Sequence, residues 1–171
     1  VVLGRPESVV ADVQAWIGKH GDDARAREML AELRVREANW TAARKEYEQL
    51  VADGKASANV LNNLANVLIT MGEGDPVAVA EKAYALATAD VGVVDTLGWA
   101  YVRAGRLDEG LRHLRDARLR APEEPEIRWH LGYALAKLGR TDEARSELRA
   151  ALEGAPAGPW VRDAAALLGQ L

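Results

Sequence analysis

Residues 97–110 read LGWAYVRAGRLDEG, and residues 131–144 read LGYALAKLGRTDEA. At an offset of 34 residues Leu97 falls on Leu131, Gly98 on Gly132, Ala100 on Ala134, Gly105-Arg106 on Gly139-Arg140 and Asp108-Glu109 on Asp142-Glu143. The register continues through Leu114 and Leu148, Ala117 and Ala151, and Ala121-Pro122 and Ala155-Pro156. Each copy reads as a helix, a short Gly-containing turn and a second helix. Gly105 and Gly139 stand where a left-handed residue closes a helix, and Asp108 and Asp142 where a carboxylate favours the start of the next. Gly98 and Gly132 lack a Cβ, and Ala117 and Ala151 are small, so the paired helices can approach closely. Pro122 and Pro156 stop the second helix. Such a pair cannot bury its apolar face alone, and stacking successive pairs supplies the missing surface. The expected fold is therefore an all-α solenoid of antiparallel helix pairs.

Weaker copies extend the pattern. In residues 58–90, Leu64 and Ala65 belong to the first helix, Gly72 ends it, Pro76 opens the second, and Ala80 and Ala83 pack. In residues 24–57, Leu30 and Ala31 precede Ala43, Tyr47 and Leu50, with Glu37-Ala38-Asn39 in place of the glycine turn. Asn39-Trp40-Thr41 matches a glycosylation sequon, but a helix-start role for Asn39 or Thr41 with Trp40 packed is the simpler expectation. Glu7 to Ile17 reads as a second helix without its partner, ended by Gly18, and Pro159 to Leu168 as a helix covering the last open face. The expected division is 1–23 for the truncated pair, full units at 24–57, 58–90, 91–124 and 125–158, and a capping helix over 159–171.

A 34-residue period with Leu-Gly early, Ala late and Pro near the end resembles the tetratricopeptide repeat family. The resemblance implies a right-handed superhelix whose first helices line a concave groove. Carried onto this chain, the family's groove positions give Arg25, Glu28, Glu32 and Arg36, then Asn59, Asn62, Asn66 and Thr70. The third unit gives Asp95, Trp99 and Arg103, and the fourth Trp129, Tyr133 and Lys137. The second set is spaced by 3, 4 and 4, so it forms one polar stripe on one helix face. Asn is a mediocre helix former, and its amide both donates and accepts, which suits a peptide backbone or a sugar hydroxyl. Trp99, Trp129 and Tyr133 are rigid side chains of the kind enriched at binding hot spots. A structural role stands beside that reading: Trp99 as a core aromatic, and Trp129 and Tyr133 packed on the C-terminal helix with Trp160. A carboxylate clamp of the family would use bases and amides where this chain has Glu28 and Glu32.

The 171 residues are 49% apolar, enough for a substantial core, but with no Phe the packing falls to Leu, Ala and Val. A net charge of −4 argues against a nucleic-acid ligand. The local run Arg103, Arg106, Arg112, Arg115, Arg118 and Arg120 is interleaved with acids and reads as a solvated helix face. With no Cys, three scattered histidines (His20, His113, His130) and no phosphate-cradling loop, neither an enzyme, a metal site nor a cofactor is expected. No apolar run reaches the roughly 18 residues of a membrane span.

LNNLANVLITMGEGDPVAVAEKAYALA, VVDTLGWAYVRAG and PEIRWHLGYALAKLGRTDEA together resemble a narrower group, the C-terminal repeats of the large tetratricopeptide lipoprotein of bacterial PEP-CTERM/exosortase systems. That resemblance implies a periplasmic, envelope-associated scaffold concerned with exopolysaccharide export or surface-protein sorting. It would hold a protein or peptide in its groove. Direct binding of exopolysaccharide, or self-association as the end of a longer solenoid, are the alternatives. The chain opens on Val1 rather than Met, as expected for a piece of a longer protein, and any lipid anchor would lie upstream.

Overall fold

A computed structural model describes residues 6–154 and 157–171. Among these residues every regular element is helical: α1 (Pro6–Lys19), α2 (Ala24–Arg36), α3 (Trp40–Ala52), α4 (Ala58–Met71), α5 (Pro76–Leu86), α6 (Val91–Arg103), α7 (Leu107–Arg120), α8 (Pro125–Lys137), α9 (Thr141–Gly154) and α10 (Val161–Leu168). They divide into two compact units, Val1–Leu86 and Ala87–Leu171.

The turns inside the pairs share one hydrogen-bond pattern. After α6, Gly105 has φ +78°; its N–H donates to Val102 O at 3.0 Å, and Arg106 N–H donates to Tyr101 O at 2.9 Å. After α8, Gly139 and Arg140 repeat this on Ala136 and Leu135 at 3.0 and 2.9 Å. These are Schellman closures, which satisfy the last carbonyls of the helix. The Glu37-Ala38-Asn39 turn, which lacks the glycine signal, closes in the same way: Ala38 takes φ 54°, and Ala38 and Asn39 N–H groups donate to Val35 and Arg34 carbonyls at 2.9 and 2.8 Å. Asn39 then caps α3 by accepting from Ala42 N–H at 3.3 Å, so it serves the helix start as expected. Asp23, Ser57 and Asp90 cap α2, α4 and α6 similarly. Asp108 and Asp142 lie in the first turns of α7 and α9, where Arg106 and Arg140 each reach back to a glutamate three residues on, Glu109 and Glu143.

In the C-terminal unit, the glycines of the quoted stretch are notches. A Cβ on Gly98 would lie 2.8 Å from Leu114 Cγ, and one on Gly132 would lie 2.9 Å from Leu148 Cγ. Leu114 and Leu148 are themselves fully buried, as are Ala117 and Ala151. Gly110, which drew no notice in the sequence, is tighter still: a Cβ there would meet Val102 Cγ2 at 2.5 Å and Gly98 O at 2.7 Å. The C-terminal helix α10 packs Ala164 against Trp129, Leu148 and Ala151, with Trp160 and Leu168 beside them. In the N-terminal unit, Tyr47 and Leu50 of α3 meet Val60, Leu64, Val67 and Leu68 of α4 in one cluster.

Three boundaries differ from expectation. Gly18 does not end α1, which runs to Lys19; no close neighbour or positive φ marks that glycine, so the helix passes through it. The last helix begins at Val161, two residues after Pro159. Helix α7 stops at Arg120, before Pro122, and the matching expectation for Pro156 lies outside the described residues.

Candidate functional site

In the N-terminal unit the candidate surface lies on α2 and α4. Helix α4 buries Val60, Leu61, Leu64, Ala65, Val67, Leu68 and Ile69. On its remaining arc Asn59, Asn66 and Thr70 are exposed and Asn62 is half-buried. This is the stripe the spacing predicts. Asn59 Nδ2 donates to Glu28 Oε1 at 2.7 Å, tying it to α2. Thr70 turns its hydroxyl back to Asn66 O at 2.9 Å, a local bond that removes it as a free donor. Asn62 Oδ1 is closed to solvent and has no hydrogen-bond partner. Arg25 and Arg36 are exposed on α2, and Glu28 and Glu32 are half-buried between them.

Asn63, outside the predicted stripe, has a structural role: it hydrogen-bonds the hydroxyl of buried Tyr47. That hydroxyl is pushed up to about 12, mainly by burial and further by the negative charge of Glu32 and Glu28. Both carboxylates therefore face the same small region as Asn63.

In the C-terminal unit the predicted residues do come together, but largely as core. Asp95 and Trp99 are each 8% exposed and Trp129 6%, which corrects the expectation that they present themselves to a ligand. Their partners explain the burial. Trp99 stacks on His130 with centroids 4.4 Å apart and meets Tyr133 edge-on at 5.1 Å. Trp129 lies parallel to Trp160, just before α10, at 6.2 Å, the structural alternative named above. Asp95 accepts from His130 Nδ1 at 2.9 and 3.1 Å. Only the cations at the C-terminal ends of α6 and α8 stay exposed: Arg103, 5.5 Å above the Trp99 ring, and Lys137, 5.3 Å above Tyr133.

The Asp95–His130 couple escaped sequence reasoning because the two residues are 35 apart, one step off the 34-residue register, where Asp95 aligns with Trp129. The available signal was an acid and a histidine on successive first helices, displaced by one position.

Elsewhere in this unit, α7, α8 and α9 enclose a cavity of about 360 Å³ floored by Leu131 and Leu135, with Leu119, 81% exposed, on its lining. The arginines around it are paired: Arg118 to Glu147 at 3.1 Å, Arg128 to the same carboxylate at 3.2 Å and Arg115 to Glu143 at 3.6 Å. Arg120 holds Asp116 at 2.6 Å. The arginine run is thus an ion-paired helix face. Among the described residues no group of three or more acidic or His side chains is placed to hold a metal, and no helix is long and apolar enough to cross a membrane.

The tetratricopeptide repeat family model matches residues 96–159, the stretch that holds both copies of the quoted motif. No curated protein sequence matches the chain. Several solved structures share the fold. YrrB, a TPR protein with an unusual peptide-binding site, is 17% identical with a TM-score of 0.74 over 97% of this chain and 84% of its own. A thermophilic TPR protein of Thermus thermophilus is 22% identical with a TM-score of 0.73 over 97% and 92%. MamA from Desulfovibrio magneticus RS-1, from residue 41 to its end, is 19% identical with a TM-score of 0.76 over 88% and 85%. At these identities the likeness establishes an all-helical tetratricopeptide fold.

Proposed function

We propose, from tetratricopeptide repeats over residues 96–159 and the fold of such arrays across the chain, that this protein is a non-catalytic binding scaffold whose α2–α4 face holds a segment of another protein. The observation that carries this reading is the contrast along α4. Seven of its side chains are buried, yet three asparagines occupy the arc left over, where Ala, Lys or Glu would make a better helix. Their amides can pair with both the donors and the acceptors of an extended backbone. YrrB, with its peptide-binding site, lends the reading a precedent in the same fold. The narrower resemblance adds a setting, the bacterial periplasm, with export of exopolysaccharide or sorting of surface proteins as the process served. Peptide is favoured over carbohydrate because Trp99 and Trp129 are buried against neighbouring rings and offer no open face for a sugar.

A photo-crosslinking residue in place of Asn66, used in bacterial envelope extract, tests this. Capture of a protein by this variant, abolished when Asn59→Ala and Asn62→Ala are added, is the expected result. Equal capture with and without those changes would remove the α4 face from consideration.

A further inference from the structure

The α2–α4 face has a surplus of acceptors and a shortage of donors. Glu28 shares one oxygen with Asn59 Nδ2. Glu32, half-buried one turn further along α2, makes no ion pair or hydrogen bond to any described side chain. Both carboxylates act on the Tyr47 hydroxyl, so their charges converge on one spot between the helices. The cations of α2, Arg25 and Arg36, are exposed at its ends and pair with neither glutamate. Independently, α4 contributes Asn62 Oδ1, an acceptor shut off from water and left without a donor; such groups are rare in folded proteins and call for an explanation. Two half-buried negative charges and an orphan acceptor share one requirement: a positively charged group carrying several N–H donors. Guanidinium meets it best, since its planar fork engages carboxylates bidentately and it has no acceptor of its own to leave unpaired.

Resting on the peptide-binding reading above, we propose that the segment held on this face is recognised through an arginine side chain. Its guanidinium lies against Glu28 and Glu32, and its flanking backbone lies along Asn62 and Asn66. Binding brings Asn62 Oδ1 a donor and neutralises charges that the free protein leaves unpaired.

The test is selection of a random dodecapeptide phage library on the wild-type protein and, in parallel, on the Glu28→Gln/Glu32→Gln variant, whose fold is checked by circular dichroism. Enrichment of Arg at one fixed position with wild type, absent with the variant, is expected. The best synthetic peptide, labelled with fluorescein, should then lose about tenfold or more in affinity when its Arg becomes Gln, and a similar factor against the variant. Peptides that enrich without a basic residue, bind the variant as well, and are lost on Asn59→Ala/Asn66→Ala would overturn the arginine assignment while upholding the face as a peptide site. Failure of any peptide to enrich on wild type would overturn both.

Discussion

Ala38 holds a conformation that glycine holds in the other turns. Its φ of 54° sits in the left-handed region, where a Cβ crowds the following carbonyl at a cost of roughly 1–2 kcal/mol. Ala38→Gly should therefore stabilise the protein by about 1 kcal/mol, part of the relief being offset by the greater freedom of glycine in the unfolded chain. A rise in Tm of about 2–4 °C is the expected reading, and a fall would mean the Cβ has contacts that outweigh the strain. Tyr47 supports a second prediction at this scale. Its hydroxyl keeps its proton up to about 12 in the fold against 10.0 otherwise, so the folded state binds the proton more tightly. The associated stability is whole below pH 10 and disappears as pH rises from 10 to 12, amounting to roughly 2–3 kcal/mol. Urea unfolding of wild type and Tyr47→Phe between pH 9 and 12 should show the wild type losing that much more than the variant; parallel curves would refute it. The sequence marked Tyr47 as a core residue but could not show its bond to Asn63, because three asparagines of the stripe and this fourth one look alike until the helix is rotated into place.

Between elements, the decisive contact is leucine over glycine. Replacing Gly98 or Gly132 with Leu must push α6 from α7, or α8 from α9, since the Leu114 and Leu148 side chains already occupy the space. A loss of at least about 3 kcal/mol in chemical denaturation is expected, at the upper end of overpacking. Gly110 adds a subtler case. The positions equivalent to Val102 and Gly110 one repeat on are Ala136 and Ala144, so a large–none pair is exchanged for a small–small pair of similar purpose. Gly110→Ala alone should cost about 1–3 kcal/mol, and Val102→Ala added to it should recover part of that loss. A favourable coupling in the double-mutant cycle would demonstrate the exchange, whereas additive losses would show that Gly98 O, 2.7 Å from the added Cβ, is the real obstacle. The glycines of the quoted stretch were legible because they recur; Gly110 was not, because its repeat partner is alanine and only the packing reveals the compensation.

Across the molecule, charge is abundant but spread in local Arg–acid pairs such as Arg106–Glu109, Arg140–Glu143 and Arg44–Glu48. Exposed pairs of this kind contribute little each, and stability should rest on the two apolar cores. Raising NaCl from about 50 mM to about 1 M is expected to shift Tm by less than roughly 3 °C; a drop of about 10 °C would give the pairs a larger share than their exposure suggests. At this scale the fold was readable from periodicity, since Leu, Gly and Ala at fixed offsets dictate helix pairing. The candidate site was readable only in part. Helical spacing located the α4 stripe, but burial is a property of three-dimensional neighbours, and nothing in the sequence distinguished Trp99 under His130 from an aromatic facing solvent.

The exchange of Val102 and Gly110 for Ala136 and Ala144 bears on how such a chain is inherited. Unequal recombination between similar repeats adds or removes whole units, and the near-identity of GRLDE and GRTDE makes that turn an inviting crossover point. A crossover there would join α6 to α9, setting Val102 against Ala144 in a notch built for Gly110. The reverse product would set Ala136 against Gly110 and leave a hole. Breakpoints between pairs, as in the segment from Ala121 to Glu124, keep every helix with the partner it was fitted to. The most conspicuous repeated words are thus the poorest places to cut, and the array should gain or lose members at its plainer joints.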